Sequence, residues 1–356
     1  MTAFIPTPDT FPAAWELFRF LLLLVFPLHL LLMNAMVGTT LIAAVVFLRK
    51  GDTMRELAYE LAKVIPFLIA FAVNLGVAAL LFLQVAYGQF FYTGSILMGA
   101  YWLAVVPLLL LAYYAAYLFD FRFTRLSKPL AIFLIVVPLL IFLTIAFIFS
   151  NNMTMMLDPV AWRAYFGTQD GTLLHWGYAP LIPRYLHFII GGLAVGGLFV
   201  AILGRVRTKM APAVREAAER IGMKVFTAFT GVAILLGFFF LAMLPRPTFL
   251  LFMGGDLVAT LIFALGMILS LIIVVAGGSR KIWLCTGLVV PLLYLMSYLR
   301  DVVRTSYLQP YFPTGSLSVV PQYGALVMFL LALLVGLVAI TWMIGRAISS
   351  FRGTGP

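Results

Sequence analysis

Charged residues and cysteine are scarce in this chain. Only 10% of its 356 residues are charged, 64% are hydrophobic, and the mean hydropathy is +1.12. Because no soluble fold carries such a composition, we predict an all-α, polytopic membrane protein. The single cysteine, Cys285, lies in an apolar segment. It excludes an internal disulfide, a cysteine-ligated metal cluster and the Cys-x-x-Cys-His signature of a covalently attached cofactor.

Acidic residues are also few, and all twelve map to a terminus, a loop or a predicted helix end. Proton-coupled carriers usually rely on a carboxylate inside the membrane, so the sequence argues against that class. The glycines of Gly191–Gly197 follow no strand, which excludes a nucleotide-binding loop. The net charge of +11 is spread as short clusters between apolar runs, which indicates membrane topology and no nucleic-acid partner.

Nine apolar runs reach membrane length, and we treat residues 1–356 as one transmembrane domain without an obvious internal repeat. The predicted spans are about 15–48, 61–86, 95–119, 129–150, 183–204, 222–244, 256–277, 282–300 and 323–348.

Lys and Arg residues concentrate in alternate loops, which sets the predicted orientation. Most of the 23 lie in the loops that follow the first, third, fifth and seventh spans or at the C-terminus. By the positive-inside rule, the N-terminus lies outside and the C-terminus is cytoplasmic. His29, His187 and the loop residue His175 then fall toward the outer half.

The run Pro183–Gly197 opens a membrane-length helix and carries His187 about one turn inside the membrane edge. An imidazole in hydrocarbon is a functional candidate by default. Four glycines leave one helix face nearly bare, which suits either a neighbouring helix or a flat cofactor. The alternative is close helix packing with His187 bonded to a backbone carbonyl.

A second membrane histidine, His29, favours the cofactor. Neutral imidazole is a strong axial ligand of haem iron, and a methionine can complete a six-coordinate site. We therefore take His29 and His187 as candidate haem-iron ligands, and expect the loop residue His175 to be solvated or interfacial. Six methionines are possible partners, although each is more often a packing residue: Met36, Met153, Met155, Met156, Met267 and Met296.

These residues resemble subunit I of cytochrome bd-type oxidases. The run Arg184-Tyr-Leu-His-Phe-Ile-Ile-Gly-Gly-Leu-Ala-Val-Gly-Gly197 is similar to that family's fifth helix, whose histidine ligates a low-spin haem b. Ser150–Pro159 is similar to its Asn-Gly-Trp-Met-x-x-Pro segment, and Asn74–Ala79 to its Ala-Leu-Gly-Val-Ala-Thr. His29, nine residues before Gly38, matches the histidine of the high-spin haem site. The resemblance implies nine helices and one or two haem b groups.

The chain departs from the family's pattern at several places. Gln84 replaces a glutamate, the third helix lacks acidic residues, and the ligand methionine has no clear counterpart near Met267. The family's long quinol-binding loop is reduced here to about Leu244–Asp256. Val303–Tyr307 is at best weakly similar to the family's Gly-Arg-Gln-Pro-Trp segment.

We therefore predict a divergent member of this superfamily: a haem b subunit of a respiratory electron-transfer complex in a bacterial or archaeal cytoplasmic membrane. It would pass electrons between a periplasmic cytochrome c or a quinone and partner membrane subunits, with a second bd-like subunit as one candidate partner. Arg184 and Arg304 are predicted to pair with haem propionates. Two alternatives remain: an oxygen-reducing subunit fed by cytochrome c, and a cofactor-free scaffold or transporter.

Overall fold

The computed structural model describes residues 4–314 and 317–351. These residues are mostly helical, and their only β feature is an isolated bridge between Phe11 and Val319. The helices are α1 (Trp15–Leu48), α2 (Asp52–Ala62), α3 (Ile65–Leu97), α4 (Gly99–Arg122), α5 (Lys128–Met155), α6 (Leu181–Val206), α7 (Pro212–Ala242), α8 (Arg246–Leu250), α9 (Leu257–Gly278), α10 (Ile282–Leu308) and α11 (Tyr323–Phe351). A 3₁₀ helix, Ala161–Gly167, precedes α6, and one π-helical turn, Leu251–Gly255, follows α8.

Nine segments of the described chain are long and apolar enough to cross a membrane, which confirms the predicted class. The short helix α2 leads almost directly into α3, and α8 is a single short turn in the shrunken loop. Three helices extend well beyond their predicted spans, by eight residues or more: α3 ends at 97 instead of 86, α7 begins at 212 instead of 222, and α10 ends at 308 instead of 300. Hydropathy locates the hydrocarbon core, whereas a helix continues wherever its backbone hydrogen bonds do.

Glycines bring α1, α6 and α7 into close contact. A Cβ built on Gly38 of α1 would lie 2.7 Å from the Cα of Gly196 on α6. On the other side of α6, a Cβ on Gly197 would lie 2.7 Å from the carbonyl oxygen of Gly222 on α7. Small residues allow such close backbone approach between membrane helices, so the bare face of α6 packs against helices at this level.

Helix α11 lies at the periphery. Its apolar side chains are largely exposed, for example Leu334 at 58% and Val335 at 68%, and Phe329 contacts Phe82 of α3 at a ring-centroid distance of 6.1 Å. A helix that is apolar and exposed around its circumference suits lipid or another membrane subunit.

Candidate functional site

A cavity lies between α1, α6, α7, α9 and α10, with mostly apolar walls. The room left for the centre of a water molecule amounts to about 270 Å³, whereas a single water needs only about 10–15 Å³ on this measure. Protein interiors contain few voids larger than one water. The size and apolar lining therefore suit a bound organic group better than trapped solvent.

His187 forms part of the cavity wall. Its Nδ1 lies 3.0 Å from the backbone carbonyl oxygen of Ala233 on α7. Because a carbonyl only accepts, Nδ1 carries the proton and Nε2 keeps a free lone pair. One turn along α7, a Cβ on Gly237 would lie 3.1 Å from Cε1 of the imidazole, so this glycine leaves room for the ring. An imidazole fixed through Nδ1 to a carbonyl is the usual arrangement of a metal-ligating histidine.

His29 is anchored in the same way on the other side of the bundle. Its Nδ1 lies 2.9 Å from the carbonyl oxygen of Ala72 on α3. A Cβ on Gly76, again four residues further, would lie 2.8 Å from its Cε1. His29 is not among the residues that line the cavity, although its neighbours Phe26 and Leu30 are.

The two histidine sites are local repeats of each other. Each histidine precedes by nine residues the glycine at which α1 and α6 cross, Gly38 or Gly196. Each bonds to an alanine carbonyl that precedes a glycine by four residues. This local correspondence between the two helix pairs is not obvious in the sequence. Sequence comparison misses the repeat because it consists of a few small residues spread over two helix pairs.

Three arginines line the cavity near the helix ends that the sequence predicts to face outside: Arg184, Arg300 and Arg304. Arg184 and Arg304 are only 8% and 6% exposed. The guanidinium group of Arg184 stacks over Phe188 and makes no ion pair with any described residue. An unpaired guanidinium group at a cavity wall favours an anionic ligand.

Asp301 is fully buried in α10, two turns before the helix ends. The expectation that every acidic residue lies at a terminus, loop or helix end is therefore wrong for this residue, because α10 continues past the predicted span. Its Oδ2 accepts a hydrogen bond from Nε of Arg19 at 2.7 Å, and its Oδ1 lies 3.6 Å from Nη1 of Arg304. The carboxylate of Asp301 thus balances charge on Arg19 and Arg304.

Arg300 has no such partner. Its Cζ lies 4.2 Å from the centroid of the Phe26 ring, and its buried Nε makes no hydrogen bond within the described chain. The positive charges of Arg184 and Arg304 oppose its own, the adjacent Asp301 partly offsets them, and the charge of Arg300 reaches His29. Arg300 therefore lines the cavity and also lies within electrostatic reach of His29.

The methionines separate into two groups. Met153, Met156, Met267 and Met296 line the cavity with His187. Met36 and Met155 are not among its lining residues and pack in apolar clusters. The first group keeps its candidacy as second axial ligands, and the second group has a packing role.

The loop before α6 covers the same end of the cavity, since its Leu157 lines the wall. His175 is only 6% exposed in this loop, so the expectation of a solvated or interfacial residue is wrong. Its backbone N–H donates to Oδ1 of Asn151 at 2.7 Å, and its Nε2 lies 3.2 Å from Oδ2 of Asp158. The hydrogen bond from His175 is the main cause that lowers the pKa of Asp158. The imidazole is therefore part of the folded loop.

Sequence reasoning did not single out Arg300, Asp301 or Asn34 for the site. Asn34 lines the cavity, and its Oδ1 has no hydrogen-bond partner among the described residues. The available signal was the spacing on α10, where positions 300, 301 and 304 share one helix face. The predicted span ends at 300, which leaves positions 301 and 304 outside the helix and hides this shared face.

The fold and the cavity define a multi-pass helical membrane protein with two part-buried histidines anchored inside its helical bundle. No protein-family model matches the sequence, and no curated protein does. The structure is similar to a chain of the bd oxidase from Geobacillus thermodenitrificans, with a TM-score of 0.75 and 15% identity over 96% of this chain and 99% of that chain. The protein therefore has the fold of a bd-oxidase-like subunit.

Proposed function

We propose that this protein is a haem b-binding subunit of a respiratory electron-transfer complex. The observation that carries the proposal is His187, whose imidazole is fixed through Nδ1 to Ala233 and lines a large apolar cavity with Nε2 available. The bd-oxidase-like fold supports it.

The residues of the cavity fit a haem. The walls are apolar, an imidazole nitrogen is free, and thioethers stand on other helices of the same wall. Arginines, Arg184 among them, line the end where propionates would need cationic partners. A bound haem b would supply one-electron transfer, with the apolar wall setting its potential.

The chain's own residues would then hold and orient the group. His187 would donate its Nε2 lone pair to the iron, while Ala233 fixes the plane of the ring. The apolar side chains exclude water, and the arginines favour the electron-rich state because positive charge nearby stabilises added negative charge. The electron donor or acceptor would be a periplasmic cytochrome c or a quinone, and partner membrane subunits would complete the route.

The experiment is a dithionite-reduced minus oxidised spectrum of the purified full-length protein, with a pyridine haemochrome assay on the same sample. A sharp low-spin b-type α-band with one or two haems per chain is expected. Well-folded protein that contains no haem would overturn the proposal and favour a scaffold or transporter.

A second candidate, an oxygen-reducing subunit, is favoured by one observation: His29 is anchored as His187 is. A second haem at His29, reacting with carbon monoxide, would be its signature. Cyanide-sensitive oxygen consumption by the complex with reduced cytochrome c would support it, and haem without that activity would count against it.

A further inference from the structure

We propose that Arg300, together with Arg184, clamps the two carboxylates of a tetrapyrrole at the predicted outer end of the cavity. This inference rests on the proposed function and deepens it, because it assigns a residue to the propionate site and ranks the three arginines. Arg304, in contrast, acts mainly as the structural partner of Asp301.

The ranking follows from the counter-charges. Arg304 has the Asp301 carboxylate 3.6 Å away, and Arg19 takes the other oxygen of that carboxylate at 2.7 Å. Asp301 is the only acidic residue in an ion pair with this cluster among the described residues. Arg184 and Arg300 form no ion pair within the described chain, and their guanidinium groups lie over the rings of Phe188 and Phe26. Asp301 acts on the charge of Arg300 only from beyond ion-pair distance.

Two guanidinium groups that lack an ion-pair partner in a largely apolar wall are costly, since a charge removed from water destabilises a protein unless an opposite charge compensates it. They also repel each other. Both line the cavity, so an anion in it can reach both. Two positive charges at one end of an apolar cavity match a flat apolar ligand with two carboxylates on one edge, and carboxylates are the groups that guanidinium binds best.

The test compares two probes on full-length protein purified from haem-deficient cells: haem and haem dimethyl ester, whose carboxylates are blocked. Iron ligation is the same for both, so the affinity ratio reports the carboxylates alone. We expect the wild type to bind haem at least tenfold more tightly than the diester. In Arg300→Gln this preference should fall at least tenfold, and in the matched control Arg304→Gln less than threefold.

Arg300→Lys keeps the charge without the planar fork, and we expect it to retain part of the preference. Because both affinities are measured on the same folded sample, reduced stability of a variant does not change the ratio. Equal binding of the two probes by the wild type would overturn the clamp while leaving haem binding intact. Failure of the folded protein to bind either probe would instead overturn the proposed function.

If Arg300→Gln still prefers haem over the dimethyl ester as strongly as the wild type does, Arg300 does not bind the carboxylates. A tightly bound anionic phospholipid that copurifies with the wild type and is lost in Arg300→Gln would assign the arginines to a lipid phosphate, and would also overturn the clamp.

Discussion

The two histidine sites share their anchoring but differ in what lies beside the ring. His187 and His29 each bond through Nδ1 to an alanine carbonyl, and each has a glycine beside Cε1. Only His187 lines the large cavity. Three residues before the histidine, α6 has Arg184 and α1 has Phe26. Four residues after it, α6 has Gly191 and α1 has Met33. The same helix pairing thus holds an imidazole in both halves, while the charge and space beside it differ.

The largest effect expected from this difference is on haem content. His187→Ala should lower haem affinity by more than about 100-fold, because even loss of a partner behind a metal ligand costs about 10–100-fold. His29→Ala should keep the low-spin b-type band. Haemochrome assays and reduced-minus-oxidised spectra of both variants check this. If His29→Ala loses the low-spin band and His187→Ala keeps it, the low-spin haem is held by His29 and its assignment to His187 is wrong.

Asp301→Asn should destabilise the protein next most strongly. It leaves Arg19 and Arg304 without their carboxylate, and breaking a buried ion pair by removing one partner costs about 3–5 kcal/mol. Since Arg19 lies on α1 and Asp301 on α10, the change also loosens the contact between the helix of His29 and the cavity wall. Thermal unfolding in detergent measures the loss.

Glu219→Gln is the matched control for Asp301→Asn. It removes a carboxylate from the partly exposed pair with Arg205, whose groups lie 2.9 Å apart. An exposed ion pair contributes about 0–1 kcal/mol to stability. The midpoint of thermal unfolding should therefore change little in Glu219→Gln. Equal effects of the two substitutions would show that Asp301 does not support the arginine cluster.

The sequence predicts the helical bundle but only part of the site. Hydrophobic runs identify nine spans because hydrocarbon enforces them, and membrane histidines identify His29 and His187 because their burial is costly. The cavity depends on how five helices pack, which no local pattern encodes. Asp301 and His175 were misplaced because hydropathy assigned one to a helix end and the other to a loop, whereas tertiary contacts bury both.

Helices α1 and α6, which carry His29 and His187, cross at Gly38 and Gly196. Gly196→Ala should therefore disturb the packing of both histidine-bearing helices. The added Cβ would lie 2.7 Å from the carbonyl carbon of Gly38, and a backbone atom cannot rotate away as a side chain can. Overpacking of this kind costs about 1–3 kcal/mol. Gly231→Ala is the control on α7, because its Cβ meets nothing within 4 Å. Thermal midpoints should fall for the first variant only, and an unchanged midpoint would contradict the close crossing.

The smallest expected effect concerns the loop beside the His187 cavity, whose Leu157 lines the wall. The hydrogen bond from His175 lowers the pKa of Asp158 below its ordinary value, so the ionised carboxylate stabilises the folded loop. That stabilisation is present above the unfolded pKa of about 3.9 and is lost as the pH falls through the lower folded value. Asp158→Asn should therefore lower the thermal midpoint at pH 7 and flatten its decline between about pH 5 and pH 3.

The effect is modest because the Asp158 side chain is 35% exposed and solvent screens the pair. Asp9→Asn, a substitution of an exposed carboxyl group in the N-terminal segment, is the control and should leave the profile of midpoint against pH unchanged. Since Leu157 beside Asp158 lines the cavity, the variant should also release haem faster from the His187 site. An unchanged release rate together with the altered pH profile would confine Asp158 to stability and separate the loop from the cavity it covers.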